Sequence, residues 1–147
     1  MNTIKQHLEA HGFEVVTPTP GLIKHWWRRC LKEVFGYPLL PMLVPATVEI
    51  RKQTDEWAAC HWPERWTNSR LHLTHHNDPI SRNGLLTILL HEIVHAILTY
   101  ESRHDDTPHG ERFMAYAALV ECETGLPFQD RYSREHIEGL GRKLKRG

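Results

Sequence analysis

Two histidines and a glutamate in one short segment, His91, Glu92 and His95, have the types and spacing of a hydrolytic metal centre. They stand inside an apolar run, residues 85–98, that predicts a helix. Because residues four apart share one helix face, both imidazoles can direct a ring nitrogen at one ion, while Glu92 lies about 100° round the axis. Zinc binds imidazole nitrogen at roughly 2.0–2.1 Å and lowers the pKa of a bound water to about 7. Glu92 is then the base that takes the proton of that water.

The chain contains 12 histidines among 147 residues, so the spacing has a competing explanation. At this composition a random match somewhere has roughly one chance in twelve, since the pattern fixes only three positions. The surrounding Leu, Ile and Val residues predict a buried helix, in which a Glu or His without a partner costs several kcal/mol. A metal ion would supply that partner. We therefore favour a catalytic metal site over a structural metal site or hydrogen-bonded core histidines.

A hydrolytic zinc site needs a third protein ligand, which a neighbouring element must bring to the two histidines. We favour His109, because it begins a further predicted helix after a loop long enough to reverse the chain. His104 is the chief rival, and it would require the first helix to end early and the backbone to double back. The full set of candidate third ligands comprises Glu101, His104, Asp105, Asp106, His109, Glu111, Glu121 and Glu123.

The elements that must position these residues follow from periodicity and from breaking residues. Helices are predicted over Ile4–Ala10, over Leu22–Phe35, from near Ser81–Asn83 to Glu101 or Arg103, from Thr107–Pro108 to Gly125, and over Ser133–Lys145. Alternating residues predict strands over Thr47–Arg51, Trp57–Trp62 and Arg70–His75. Three short strands joined by turn-rich segments predict a three-stranded antiparallel sheet packed on helices, and therefore an α+β fold.

Size and composition indicate one ordinary globular domain over residues 1–147. A chain of this length buries about two-thirds of its unfolded surface in a single core. Hydrophobic residues make up 40% of the chain, charged residues 24%, and the formal net charge is zero. The global charge therefore predicts no nucleic-acid partner, although residues 131–147 are basic.

Cysteine usage and the first residues predict a cytoplasmic, intracellular protein. Cys30, Cys60 and Cys122 are odd in number and contain no Cys-x-x-Cys pair, so neither a disulfide framework nor a zinc ribbon is expected. The segment Met1–Ala10 lacks the apolar stretch of a secretory signal. The longest apolar run is interrupted by the histidine motif itself, so we expect no membrane span.

The motif His-Glu-Ile-Val-His, followed after 13 residues by His109-Gly110-Glu111-Arg112-Phe113, resembles the SprT-like metallopeptidases, to which Spartan proteases belong. The likeness extends upstream through Leu31–Leu43, Val48–Lys52 and Arg70–Thr74, and covers about residues 22–126. It implies a minimal zincin-type domain with His91, His95 and His109 as zinc ligands and Glu92 as general base. Two features depart from the family. Arg112 stands where many members carry an acidic residue, and no cysteine-rich zinc ribbon follows Gly125.

These features predict a zinc-dependent endopeptidase that acts on a protein or peptide substrate. Candidate donors to the oxyanion are Tyr100, His104, Arg112 and Tyr116, each of which has a structural or surface role as its alternative. The strand Arg70–His75 could pair with an extended peptide. His75 and His76 could line that cleft, with solvated turn residues as the alternative.

The competing interpretation is a non-catalytic, zinc-stabilised binding module that contacts DNA or a protein partner. The basic C-terminal tail, residues 131–147, could contact phosphates together with Arg28 and Arg29, and a solvated basic terminus is the alternative. In Spartan-type relatives the substrate is protein crosslinked to DNA, so the resemblance allows action on DNA-associated proteins. A cysteine mechanism through Cys60 and His61 is weaker, because adjacent strand residues point to opposite faces.

Overall fold

The fold combines helices with two small sheets, and the computed structural model describes residues 2–52, 58–61, 71–101 and 109–142. In chain order the elements are α1 (Ile4–His11), β1 (Val15–Val16), α2 (Pro20–Glu33), β2 (Thr47–Arg51), β3 (Ala58–His61), β4 (His72–His76), β5 (Ile80–Ser81), α3 (Arg82–Tyr100), α4 (Glu111–Met114), α5 (Ala117–Thr124) and α6 (Arg134–Gly139). The predicted mixture of α and β structure is confirmed.

Local capping signals place the first helices where the sequence predicts them. Thr3 forms a capping box with Gln6 at the start of α1, and the Thr19 hydroxyl accepts the Leu22 N–H at the start of α2. The chain turns after α2 at Gly36, whose φ of +71° lies in the left-handed region that glycine tolerates. Trp27 of α2 is fully buried and donates its indole N–H to the Leu43 carbonyl at 2.7 Å.

The three-stranded sheet has the order β2-β4-β3 and is mixed, so the predicted antiparallel meander is wrong. β2 runs parallel to β4 with Thr47 opposite His72, and β3 runs antiparallel to β4 with Ala58 opposite His75. The last strand in sequence enters the middle of the sheet instead of joining its edge. Leu73 of β4 is fully buried, whereas β2 alternates between exposed and half-buried residues. β4, which is more buried than β2, takes the central position.

A two-stranded sheet that was not predicted secures the start of α3. β1 pairs antiparallel with β5, and the Arg82 guanidinium meets the Glu14 carboxylate at 2.6 Å. The Ser81 hydroxyl caps α3 by accepting the Gly84 N–H at 3.0 Å. Strands of two residues carry too little periodicity to be read from sequence.

The core is organised around α3, which packs against α1, α2, α6, β3 and β5. Most of its 19 residues are buried, on all sides of the helix. It also has the length and mean hydropathy, 1.2 over its most apolar window, of a helix able to cross a membrane, yet 72% of that window is buried inside the protein. His91, Glu92 and His95 therefore do not bring the hydropathy of α3 below that of a membrane-spanning helix, contrary to the expectation from the sequence. The burial of α3 inside the protein is typical of a core helix.

The region after α3 differs from the prediction in its detail. The single helix predicted up to Gly125 is divided at Ala115–Tyr116 into α4 and α5, and the N-cap of α4 is Gly110. Thr107 and Pro108, the predicted start, lie outside the described residues. The final helix, α6, is shorter than the predicted Ser133–Lys145, and residues 143–147 also lie outside the described part.

Candidate metal centre

The rings of His91, His95 and His109 converge on one point. α3 supplies the first two, one turn apart on the same face, and the residue two before α4 supplies the third. The Nε2 atom of His95 lies 3.3 Å from that of His91 and 3.1 Å from that of His109. Nitrogens bound at 2.0–2.1 Å to one tetrahedral ion are separated by about 3.3 Å. The spacing therefore fits a single ion held by three imidazoles, and these three residues could bind a metal ion.

The electrostatics of the site favour neutral imidazoles, the form that binds metal. Burial, followed by the nearby His109, lowers the pKa of His91 to about 4. Burial also lowers the pKa of His109, against a smaller opposing effect of Asp130. All three residues are only partly buried, so the cluster is reachable from solvent.

Phe113 forms a common packing surface beneath the cluster. This fully buried ring has its centroid 4.9 Å from that of His91, 4.6 Å from that of His95 and 4.9 Å from that of His109. It belongs to α4, which follows His109 directly, so the segment that delivers the third ring also supplies this contact. One aromatic side chain thus limits the orientation of all three imidazoles.

The orientation of His91 is fixed on its other side by the backbone. Its Nδ1 atom lies 3.3 Å from the carbonyl oxygen of Gln129. A carbonyl can only accept, so Nδ1 carries the proton and donates it. The lone pair then stays on Nε2, which is the atom that faces His95 and His109.

Glu92 follows His91 in α3 and is buried, with 8% of its surface exposed. A carboxylate shielded in this way next to a candidate metal ligand suits a general base, because little bulk water reaches its side chain. Helix geometry turns it about 100° from His91, away from the row that His91 and His95 share.

The other candidate third ligands do not join the cluster within the described residues. Glu111 and Glu123 are exposed, and Glu121 accepts the Phe128 N–H at 3.2 Å. Glu101 ends α3 as its C-cap. The chief rival, His104, lies outside the described residues together with Asp105 and Asp106.

The candidate oxyanion donors have other contacts. The ring of Tyr100 packs on that of Tyr37, with centroids 6.4 Å apart. The ring of Tyr116 packs on that of Phe35, with centroids 5.7 Å apart. Tyr116 and Arg112 line a separate cavity of about 190 Å³. These contacts give both tyrosines the structural role that was the alternative.

Two predictions for β4 need correction. β4 lies in the centre of its sheet and is hydrogen-bonded to β2 on one side and to β3 on the other. It therefore offers no free edge to a peptide. His75 and His76 are neither solvated turn residues nor exposed cleft residues, since each is 2% exposed. The Nδ1 atom of His75 donates to the His76 carbonyl at 2.7 Å. Burial lowers the pKa of His75 to about 4, so it is neutral at pH 7.

No family model and no curated protein matches this chain. The functional assignment therefore rests on the residues of the site and on their geometry.

Sequence reasoning missed the supporting residues of the site, Gln129 and Tyr132, and gave Phe113 no packing role. Tyr132 accepts the Gln129 N–H and packs near His91, with ring centroids 5.8 Å apart. The one sequence signal was an unusual density of large apolar residues, Leu126, Phe128 and Tyr132, in a segment that follows a helix-ending glycine. Large apolar residues outside a helix or strand indicate a loop that packs against the protein core.

Proposed function

We propose that this protein is a zinc-dependent endopeptidase whose general base is Glu92. The observation that carries the proposal is the convergence of three Nε2 atoms at 3.1 and 3.3 Å with a buried glutamate next in sequence to one of them. Structural zinc sites use four protein ligands, whereas hydrolytic sites use three and keep one position open. Within the described residues the cluster has three imidazoles and no fourth protein ligand, which favours hydrolysis over a purely structural role.

Zinc is the metal that best suits this donor set. Imidazole nitrogen is a borderline ligand that zinc prefers, whereas magnesium and calcium prefer oxygen. When bound, zinc supplies Lewis-acid polarisation of a peptide carbonyl and acidifies water. The protein contributes neutral imidazoles, held by Phe113 and by the Gln129 carbonyl, and a carboxylate that accepts the proton of the attacking water.

The same carboxylate can return that proton to the leaving amine, so Glu92 serves as base and then as acid in one turnover. It does so by moving a proton between its own carboxylate oxygen and the reacting groups. Burial supports this role, because few water molecules compete with the reacting groups for hydrogen bonds to the carboxylate oxygens.

An extended substrate is proposed to pair with β3, in place of the strand that the sequence favoured. β3 packs against α3 and, within the described residues, is hydrogen-bonded only to β4. The opposite edge, β2, exposes Glu49 and Arg51, which form an ion pair at 2.8 Å. Charged edges discourage pairing with another strand, so β3 is the better edge for an added peptide.

The resemblance to SprT-like metallopeptidases supports the same function, since both histidine segments and the order of the elements upstream of them resemble that family. Membership of that family, a zincin-like fold and a cytoplasmic location stay predictions. Contact with DNA through residues 131–147 is a weaker proposal. Arg134 lies 3.7 Å from Asp78 and 3.9 Å from Glu138, and Arg29 binds Glu33, so these charges already have acidic partners.

The decisive experiment replaces Glu92 with Gln and measures metal content and cleavage of an unfolded, casein-like protein separately. The variant is expected to retain one zinc per chain and to lose about 10²–10⁴-fold in cleavage rate, because Gln cannot accept the proton. Glu123→Gln, the same change at an exposed position of α5, is the matched control and should cleave like the parent.

Cleavage by Glu92→Gln at the parent rate would refute the general-base assignment. A parent protein that binds one zinc but cleaves no unfolded protein would favour the zinc-stabilised binding module.

A further inference from the structure

A non-helical segment between α5 and α6, residues 126–133, crosses the metal centre, and we name it the strap. It begins after Gly125, which adopts a left-handed φ of +74°, and ends at Ser133, the N-cap of α6. Phe128 of the strap is 3% exposed and packs on Phe113 with centroids 5.0 Å apart. The strap is therefore part of the wall around the histidines.

Side chains, rather than a regular ladder, satisfy the backbone of the strap. The Leu126 N–H donates to the Thr124 hydroxyl at 3.1 Å, and the Phe128 N–H donates to the Glu121 carboxylate at 3.2 Å. Both acceptors belong to α5, so the first half of the strap is anchored to that helix. Buried backbone groups need such partners, and their placement sets the path of the chain.

The second half of the strap is held by its own tyrosine. The Tyr132 hydroxyl accepts the Gln129 N–H at 2.7 Å and donates to the Pro127 carbonyl at 3.0 Å. Burial raises the pKa of Tyr132 to about 12, so the hydroxyl keeps its proton and can donate throughout the physiological range. One hydroxyl thus closes the turn that contains Gln129.

Gln129 is also the residue whose carbonyl accepts the Nδ1 proton of His91, at 3.3 Å. The donor and acceptor groups of one residue are connected through its own Cα, so fixing the N–H limits where the carbonyl can point. Partners of this kind fix the tautomer of a metal-binding histidine, and their loss typically costs 10–100-fold in metal affinity.

We propose that Tyr132 is a positioning residue for the metal centre: its hydroxyl holds Gln129 so that the Gln129 carbonyl keeps the proton of His91 on Nδ1 and leaves Nε2 free to bind metal. The inference rests on the proposed zinc site. It assigns to the strap a role in metal retention and does not require that the protein cleave peptides.

The first test is Tyr132→Phe, which removes the hydroxyl and keeps the ring that packs near His91 and His136. Zinc affinity, measured by competition with a chromophoric chelator, is expected to fall about 10-fold or more. The matched control is Tyr37→Phe, the same change at another half-buried tyrosine, which packs on Tyr100 away from the strap. It should leave zinc affinity within about twofold of the parent. A purely structural role for Tyr132 predicts lower stability with unchanged zinc affinity, and that result would overturn the proposal.

The second test needs no metal, and its first measurement needs no variant. Long-range ¹H–¹⁵N NMR of the metal-free parent reports which ring nitrogen of His91 carries the proton, and the Nδ1–H tautomer is expected to dominate. In Tyr132→Phe the spectrum should move toward a mixture of the two tautomers. If Nε2 carries the proton in the parent, the proposal is wrong, even where the variant does not fold.

These readouts separate the proposal from the peptidase function. A parent that binds zinc and cleaves nothing, with a Tyr132→Phe variant that loses affinity, retains the strap proposal and removes the peptidase. If the parent is active and the Tyr132→Phe variant keeps both its zinc affinity and its His91 tautomer, the peptidase function is retained and the strap proposal is wrong.

Discussion

Two sets of histidines in this protein differ in what they can do. The histidine cluster, His91, His95 and His109, brings three Nε2 atoms together, whereas His75 and His76 lie side by side in β4. Burial lowers the pKa of His91 and that of His75 to the same value, about 4. A pKa lowered by burial is therefore shared by a candidate metal ligand and by a histidine of a core strand.

The difference lies in geometry. Residues four apart on a helix share a face, so His91 and His95 point at one place, and the turn before α4 adds a third ring. Adjacent residues of a strand point to opposite faces, so His75 and His76 cannot share an ion. Each β4 histidine instead bonds locally, His75 to the His76 carbonyl and His76 to the Asp78 N–H. Convergence of three ring nitrogens, and not burial, distinguishes the candidate metal site from β4.

The largest expected contrast is between His109→Ala and His75→Gln. His109→Ala removes one of three ligands and should weaken zinc binding by more than the roughly 100-fold that an outer-shell partner costs. His75→Gln should retain one zinc per chain, because this ring takes no part in the cluster. Metal analysis after dialysis against a mild chelator measures both variants. Equal metal content in the two variants would contradict the distinction.

A second contrast compares core residues from the two regions, Phe113 and Leu73. Both are fully buried, so Phe113→Ala should cost about 3–5 kcal/mol of stability and Leu73→Ala about 2–5 kcal/mol. Only Phe113→Ala should also weaken zinc binding, because its ring contacts all three imidazoles. Urea unfolding gives the stabilities, and chelator competition in the folded range gives the affinities. A comparable loss of affinity in Leu73→Ala would show that general destabilisation, rather than Phe113, controls the site.

The smallest expected effect is the pH dependence that His75 confers on stability. Its pKa is about 4 in the folded protein, below the value near 6.5 of an unfolded histidine, so the unfolded state binds more protons between these values. Stability therefore falls as pH is lowered, by about 2 kcal/mol between pH 7 and pH 5. Urea unfolding of the parent and of His75→Gln at both pH values isolates this contribution. An equally steep decline in the variant would assign the pH dependence to other groups.

The sequence alone located the helices and most of the strands, because these depend on local spacing and capping. α3 begins within the predicted range and ends one residue before the earlier of its two predicted ends, and β2 has the predicted bounds. The sequence also favoured the three histidines that the structure brings together, since helical periodicity places His91 and His95, and His109 stands in a short segment before a new helix. These are properties of neighbouring residues, which periodicity reports directly.

Only the tertiary structure decided the order of the sheet, the burial of the β4 histidines and the support of the metal centre. The Gln129 carbonyl contacts His91, which is 38 residues away in the chain. β2 pairs with β4, although β3 lies between them in sequence. Local preferences do not encode such pairings, because the burial gained when whole elements pack together selects them. The sequence determined which residues could bind a metal, and packing determined how each ring is held.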